Sequence, residues 1–556
     1  MKIAIAQLNF RIADFDGNFN LMKEAILKAE NDEVDLIVFS ELAVCGYPPL
    51  DLLEQRDFID RCSESIRRLT DCTEKVAVIV GSPCINHNET GKKLYNAAYM
   101  LSNKQVVAIR YKTLLPTYDI FDEYRYFEPN IEFDLVEFKG IKIALTICED
   151  IWDDQPVENA FSRSRLYTVS PMDLLSRQQP DIMINISASP FAANRLQARE
   201  EVLRMNATRY SIPLFYCNQV GANTELIFDG SSMVLDGHGR TIDQFDPFVQ
   251  EVRSYRLESL INSPGGKDDE VKINLSEEYR IEMIHKALIF GIKDYFSKMG
   301  FKKAVLGLSG GMDSALTLAL AVEALGSENV LPVLMPTRFS SDHSIIDSIA
   351  LADNLGVKWS RIPVDPMMDS FLEQLVPEFG GLAEDVTEEN LQARIRGVIL
   401  MALANKLNLI LLNTSNKSEA AVGYATLYGD MNGGLSVLGD VYKTDVYAIA
   451  RHVNRNTTII PYNIYIKAPS AELRPGQKDS DSLPDYSILD PILYRYIEMK
   501  EQAATIAGAG FDPAVVEKVI SLVNRSEYKR FQSPPILRVS SKAFGLGRRM
   551  PLVAKY

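Results

Sequence analysis

Ala304-Val305-Leu306-Gly307-Leu308-Ser309-Gly310-Gly311-Met312-Asp313-Ser314 is the stretch on which the reading of this chain turns. A short apolar run bounded by glycine reads as a buried strand, and helical spacing begins at Ser314 and continues to Leu325. Strand, glycine turn and helix in that order build an anion cradle. Glycine lets the backbone approach a ligand closely, and the first N–H groups of a helix have no partner inside it. The turn lacks the Gly-Lys-Ser/Thr ending of a Walker loop.

Outward from this stretch the same alternation continues. Val330–Met335 and Leu409–Leu412 read as buried strands, and Ser344–Leu355 and Glu389–Leu407 as helices. A long helix starts near Ser276, with Glu278 to Tyr295 in helical period. Such alternation predicts a doubly wound parallel sheet of Rossmann type, with its ligand at the strand C-termini. Pro469–Leu489, rich in Pro, Ser, Asp and Gly, reads as a mobile lid or a plain surface loop. Upstream, Lys2–Gln7, Leu36–Ser40, Val76–Gly81, Ala97–Leu101, Ile141–Ile147 and Ile182–Ser187 are strand candidates, and Asn18–Glu30 and Arg195–Tyr210 helix candidates. A breaker cluster, Asn262-Ser263-Pro264-Gly265-Gly266, separates the halves and runs into charge. The expectation is two α/β domains, 1–262 and 276–556, joined by a linker at 263–275.

A chain of 556 residues has room for two large domains. Its net charge of −15 and lack of a basic stripe argue against nucleic acid as the main partner. No run reaches the roughly 20 apolar residues of a membrane span, and the N-terminus reads at once as a strand rather than a leader. The six cysteines, at 45, 62, 72, 84, 148 and 217, form no CxxC pair and no zinc spacing. A reducing cytoplasm is the expected setting, and any cysteine chemistry belongs to the first half.

Three apolar runs in that half lead to reactive side chains: Leu36–Ser40 to Glu41, Val106–Arg110 to Lys112, and Ile143–Ile147 to Cys148. Strand ends present groups to a pocket. A thiol of pKa ~8.5 needs activation, which a carboxylate base and an ammonium can supply. Glu41 would take the proton from Cys148, the sulfur would attack a carboxamide carbon, and Lys112 with a backbone N–H after Cys148 would stabilise the oxyanion. Cys45, Cys62, Cys72, Cys84 and Cys217 read as packing.

The words around these residues are more specific. Phe39-Ser40-Glu41-Leu42-Ala43-Val44-Cys45-Gly46-Tyr47-Pro48-Pro49, Lys112-Thr113-Leu114-Leu115-Pro116 with Phe121 to Phe127, and Cys148-Glu149-Asp150-Ile151-Trp152 together resemble the nitrilase (carbon–nitrogen hydrolase) superfamily. The resemblance covers about residues 1–260. It implies a Glu41–Lys112–Cys148 triad on an α-β-β-α sandwich that pairs with a second subunit, a homo-oligomer. Its glutaminase branch implies Glu123 as a supporting glutamate and Tyr118, Ser189 and Arg195 around glutamine; Ser187 is the alternative to Ser189. A guanidinium suits a free carboxylate because its fork reaches both oxygens.

The Ser309–Ser314 loop resembles that of ATP pyrophosphatases. Glu389 to Arg396, Asn413 to Glu419, Gly429 to Gly434 with Val441 to Asp445, Ser470 to Pro475 and Tyr528-Lys529-Arg530 resemble the NAD synthetase pattern over about residues 275–556. This implies Gly307, Leu308, Ser309, Gly310, Gly311, Met312, Asp313, Ser314, Thr414 and Lys443 near ATP. It implies Asp313 and Glu419 on Mg2+, and Asn390, Arg394, Glu419, Asp430 and Lys529 near deamido-NAD. Single-domain, ammonia-using members often carry an acid where this chain has Asn416, so the two-domain branch fits better. The reaction implied is deamido-NAD, ATP, glutamine and water to NAD, AMP, pyrophosphate and glutamate, through an acyl adenylate. The alternatives are another glutamine-fed adenylating ligase, an amidase with a nucleotide-sensing second half, and a non-catalytic scaffold.

Overall fold

The structure, a computed structural model, describes residues 1–153, 156–158, 163–261 and 276–555, with the backbone alone at 156–158 and 163–165. The chain divides into two compact units, Met1–Asn274 and Leu275–Tyr556. The expected linker 263–275 lies outside the described residues.

In the first unit, strand periodicity builds two cores at once. Along Lys2–Gln7, Ile3 and Ile5 enter one cluster, and Ala4 and Ala6 another. The first sheet runs Glu251–Arg256, Lys2–Gln7, Leu36–Val38, Ala77–Ile85, Leu94–Ser102, Gln105–Tyr111. The second runs Thr241–Gln244, Met233–Leu235, Leu214–Asn218, Ile182–Ser187, Ile141–Ile147, Val136–Phe138. Between them lies an apolar layer of Ile3, Ile5, Val38 and Ile79 against Ile143, Leu145, Ile184 and Phe215. Truncating one such isoleucine to alanine costs about 2–5 kcal/mol. Helices Phe15–Asn31 and Arg56–Thr70 cover the outer face of the first sheet, and Pro171–Ser176 and Leu196–Tyr210 that of the second. This is the α-β-β-α sandwich. Its Phe15–Asn31 helix starts before Asn18 because the Asp14 side chain accepts from Gly17 N–H at 3.0 Å and caps it earlier.

The second unit carries a five-stranded sheet in the order Ser360–Arg361, Val330–Leu334, Ala304–Gly307, Ile410–Asn413, Leu435–Ser436, with every pair parallel. The order reverses direction at Ala304–Gly307. Right-handed crossovers therefore place Met312–Leu325 and Val386–Leu407 on opposite faces. Asp365–Phe379 and Val386–Leu407 pack with Val305, Val333 and Leu411, and Met312–Leu325 packs with Glu277–Met299 and Lys443–Val453. Two helix starts precede the sequence reading. Met312–Leu325 begins directly after Gly311, and Val386–Leu407 is opened by a reciprocal cap between Asp385 and Glu388. The helix Asp365–Phe379 escapes periodicity because Pro366 and Pro377 read as breakers; Pro366 sits in the first turn, where proline is tolerated.

Candidate functional site

In the first unit, Lys112, at the end of Gln105–Tyr111, is fully buried between two buried carboxylates. Its Nζ donates to Glu41 Oε1 at 2.7 Å and to Glu123 Oε1 at 2.9 Å. Asn96 Nδ2 donates to Glu41 Oε1 at 2.7 Å, Ala188 N–H to Glu41 Oε2 at 3.0 Å, and the Tyr47 hydroxyl to Glu123 Oε1 at 2.8 Å. Burial pulls the Lys112 ammonium down, but Glu123 and Glu41 together outweigh it and hold it well above its ordinary value. Burial pushes the Glu123 carboxyl up to about 7 against the pull of Lys112.

Cys148 follows Ile141–Ile147 of the other sheet with φ +46°, a left-handed backbone that a non-glycine residue holds only where its surroundings enforce it. Burial and the Glu41 carboxylate hold its thiol well above the ordinary range, and Lys112 opposes them without prevailing. Burial thus favours the protonated thiol over the thiolate at rest. Asp150 ties the two strand ends together: it accepts N–H groups of Thr113 and Leu114 at 2.9 Å each and of Ile147 at 3.0 Å.

Beside the thiol, the buried Glu149 carboxylate accepts the hydroxyls of Tyr118 at 2.8 Å and Tyr167 at 2.9 Å. Arg195, exposed at the start of Leu196–Tyr210, acts on both Glu149 and Tyr118 through its charge. Ser187 spends its hydroxyl on Asn185 Oδ1 at 2.6 Å within the core, whereas Ser189 is partly exposed. Sequence reading missed Glu149, Asp150 and Asn96. The first two stand next to Cys148 in the chain; Asn96 carried no local signal.

In the second unit a cavity of about 280 Å3 opens at the C-terminal ends of Ala304–Gly307, Val330–Leu334 and Ile410–Asn413, where the strand order reverses. Gly307, Leu308, Ser309, Gly311, Met312, Asp313 and Ser314 line it, as do Thr414, Glu419, Asp430 and Lys443. Gly310 has φ +79°, and a Cβ there would lie 2.5 Å from the Ser344 carbonyl oxygen. Ser309 Oγ accepts Gly311 N–H at 3.2 Å and meets Ser314 Oγ at 3.0 Å, which closes the turn on itself.

Lys443 Nζ bonds Asp313 Oδ2 and, at 3.3 Å, Glu419 Oε1. Asn416 Nδ2 donates to Asp313 Oδ1 at 2.8 Å, and its Oδ1 accepts Glu419 N–H at 2.9 Å. Burial raises the Glu419 carboxyl to about 8 against the pull of Lys443, with Asp313 and Asp479 adding to the rise. Burial opposes the Lys443 charge, yet Asp313 and Glu419 hold it well above its ordinary value. No group of three or more His, Cys, Asp or Glu is arranged to hold a metal among the described residues. Asp313 and Glu419 offer a pair of hard oxygen donors of the kind that suits a divalent cation.

Asn390, Arg394 and Lys529 are absent from the cavity wall. They gather on the 423–430 turn instead. Thr426 Oγ1 donates to Asn390 Oδ1 at 2.7 Å, Arg394 Nε to Leu427 O at 3.2 Å, and Lys529 Nζ to Gly423 O at 2.8 Å and Ala425 O at 2.7 Å. Asp430 Oδ1 accepts Thr426 N–H at 2.7 Å, which joins that turn to the cavity. The 469–489 segment reaches the cavity through Pro469 to Leu473. Glu472 Oε1 accepts the hydroxyls of Ser341 and Ser344 at 2.9 Å each and Lys467 Nζ at 2.7 Å. Gln392 Nε2 donates to Leu473 O at 2.9 Å.

Family models agree with the division. Residues 2–259 match carbon–nitrogen hydrolase and residues 284–533 match NAD synthase. The glutamine-dependent NAD(+) synthetase of Synechocystis sp. is 44% identical over 100% of this chain and 99% of its own. That of Thermotoga maritima is 41% identical, with the same coverage of both chains. A solved glutamine-dependent NAD+ synthetase of Acinetobacter baumannii, in complex with adenosine diphosphate, superposes with a TM-score of 0.75 at 36% identity, covering 99% of this chain and 98% of that one. With both halves matched in order and full-length relatives of one activity, the chain belongs to the glutamine-dependent NAD(+) synthetase family.

Proposed function

We propose that the two clusters divide the reaction, ammonia being released at Cys148 and used at the Asp313–Glu419–Lys443 site. Cys148 Sγ attacks the carboxamide carbon of glutamine. Its proton passes to Glu41 and on to the departing nitrogen, leaving a thioester and ammonia. Lys112, held by Glu41 and Glu123, and a backbone N–H after Cys148 stabilise the oxyanion. Water, deprotonated by Glu41, releases glutamate. Arg195 suits the α-carboxylate of glutamine and Glu149 its ammonium, with Tyr118 and Ser189 alongside; Ser187, bonded within the core, is the poorer candidate.

In the second unit the Gly307–Ser314 loop holds the ATP phosphates on the helix start. The nicotinate carboxylate of deamido-NAD attacks the α-phosphate, pyrophosphate leaves, and ammonia displaces AMP from the acyl adenylate. Lys443 neutralises phosphate charge, and Thr414 flanks the nucleotide. Magnesium, when held by Asp313 and Glu419, supplies charge neutralisation at the leaving group. Asn390, Arg394, Asp430 and Lys529 are the proposed dinucleotide contacts. We place the enzyme in the cytoplasm, where six free cysteines stay reduced, and as a homo-oligomer. No helix of the described residues is long and apolar enough to cross a membrane.

The observation that carries this reading is the separation of the clusters, one in each unit. The test is a split. Cys148→Ala is expected to lower glutamine-supported NAD formation by about 10³-fold or more and to leave ammonium-supported formation near normal. Asp313→Ala is expected to abolish both, with NAD and AMP followed together. Loss of both activities in folded Cys148→Ala, or survival of both in Asp313→Ala, would sink the assignment.

A further inference from the structure

One fully buried cation in the second unit takes no part in the proposed chemistry. Lys417 stands between Asn416, which holds Asp313, and Ser418 and Glu419, yet its side chain turns away from the cavity. Its Nζ lies 2.9 Å from Asp440 Oδ1 and donates to Glu498 Oε1 at 2.9 Å, Ser540 Oγ at 2.7 Å and Lys542 O at 2.9 Å. It also lies 4.7 Å from the ring of Tyr442, the residue before Lys443. The acids are themselves used up. Asp440 Oδ2 accepts Val539 N–H at 2.8 Å and Ser540 N–H at 2.7 Å, and Glu498 Oε2 accepts Ser541 Oγ at 2.5 Å. The cluster thus joins three remote parts of the chain at the root of the helix Lys417–Val422.

A buried ion pair is seldom a gain in stability over well-packed apolar groups, because desolvation offsets the attraction. What such a cluster can supply is a single geometry. The neighbours of Lys417 show what that geometry would set. Ser418 Oγ accepts Lys443 N–H at 2.9 Å and donates to Asp490 Oδ1 at 2.6 Å, and Lys417 N–H donates to Val441 O at 2.9 Å. Glu419 and Lys443, on separate helices, are therefore held in register through residues 417 and 418.

We propose that Lys417 is a positioning residue for the adenylating site: its clamp by Asp440, Glu498 and the 540–542 segment fixes where Glu419 and Lys443 stand relative to Asp313. This rests on the ATP-site reading given above. The plain alternative is a cluster that only holds the C-terminal segment down.

The test uses the full-length protein. Lys417→Met alone strands two buried carboxylates and risks unfolding. The working variant therefore combines Lys417→Met with Asp440→Asn and Glu498→Gln, so that no charge is left unpaired. Glutamine hydrolysis and the thermal unfolding profile report the fold. Ammonium-supported NAD formation is then measured against ATP and magnesium. A positioning role predicts a fall in kcat of about tenfold or more, since a misplacement near 1 Å can cost about 10²-fold, with half-saturating magnesium raised several-fold and glutaminase unchanged. Ser540→Ala, which removes one partner of the ammonium, should shift the magnesium dependence in the same direction by less, and carries the test if the triple variant does not fold. Unchanged kcat and magnesium dependence in a folded triple variant, or in Ser540→Ala where it alone folds, overturns the proposal. Glu419→Gln is run beside them. If it synthesises NAD normally, the ATP-site reading itself has failed and the positioning role falls with it; if it is inactive while the triple variant is normal, only the positioning role has failed.

Discussion

At the scale of residues, Lys112 shows how burial shares out protons. One ammonium serves two carboxylates away from water, so ionising both leaves a net negative charge in a low dielectric. The cost falls on Glu123, whose carboxyl rises to about 7, and on Cys148, whose thiol stays protonated. A pH dependence of stability follows. Unfolded, Glu123 gives up its proton near the ordinary 4.5; folded, near 7. Between those values the folded state binds more protons, so this contribution is full below about 4.5 and is lost as pH rises through about 7. Asp150, also raised to about 7, acts in the same sense. The unfolding midpoint of the first unit should therefore drop between about pH 5 and about pH 8, and Glu123→Gln should lessen that drop. An equal drop in both proteins, measured by calorimetry on the full chain, would contradict it. Asn416 makes a parallel point in the second unit. As an amide it both donates to Asp313 and caps the helix bearing Glu419, two bonds that an ionised carboxylate could not make together.

At the scale of elements, two helix starts meet at the Gly307–Ser314 loop. Gly310 passes so close to Ser344, near the start of Asp342–Asn354, that no side chain fits. Gly310→Ala should cost about 1–3 kcal/mol of strain and remove most NAD formation from either nitrogen source, while glutamine hydrolysis persists. Near-normal synthesis would show the close approach to be dispensable. The 467–479 segment is a tied strap rather than a bare loop. Its Glu472 carboxylate, with φ +50°, takes two serine hydroxyls and Lys467 at the edge of the cavity. Three charge-assisted bonds of this kind are each worth about 1.5–3 kcal/mol. Glu472→Ala should raise the KM for ATP several-fold and speed proteolysis within 469–483, both read on the same preparation. Unaltered cleavage and KM would mean that the segment is held by other contacts.

At the scale of the whole molecule, the pairing that the carbon–nitrogen hydrolase resemblance implies for the sandwich leads us to expect a homo-oligomer. Light scattering at micromolar concentration should give a mass of at least twice that of the chain; a monodisperse monomer would refute it.

The amino-acid sequence by itself determined the chemistry that lies in short contiguous words. The glycine turn after Ala304–Gly307, the reactive residues after three strands and the alternation of elements are local patterns, and backbone sterics and side-chain periodicity act locally. Only the tertiary structure decided what depends on distance between remote residues. Lys443 reaches Asp313 across 130 positions, and Lys112 reaches Glu41 across 71, separations on which no periodicity bears. Asn390, Arg394 and Lys529, assigned by resemblance to the dinucleotide, were gathered onto the 423–430 turn rather than into the cavity wall. In sequence Lys417 is one residue of the Asn413–Glu419 segment, with no local sign of its burial. Its burial against Asp440 and Glu498 arises from packing of the C-terminal segment, because a charge becomes internal only when the rest of the chain closes over it.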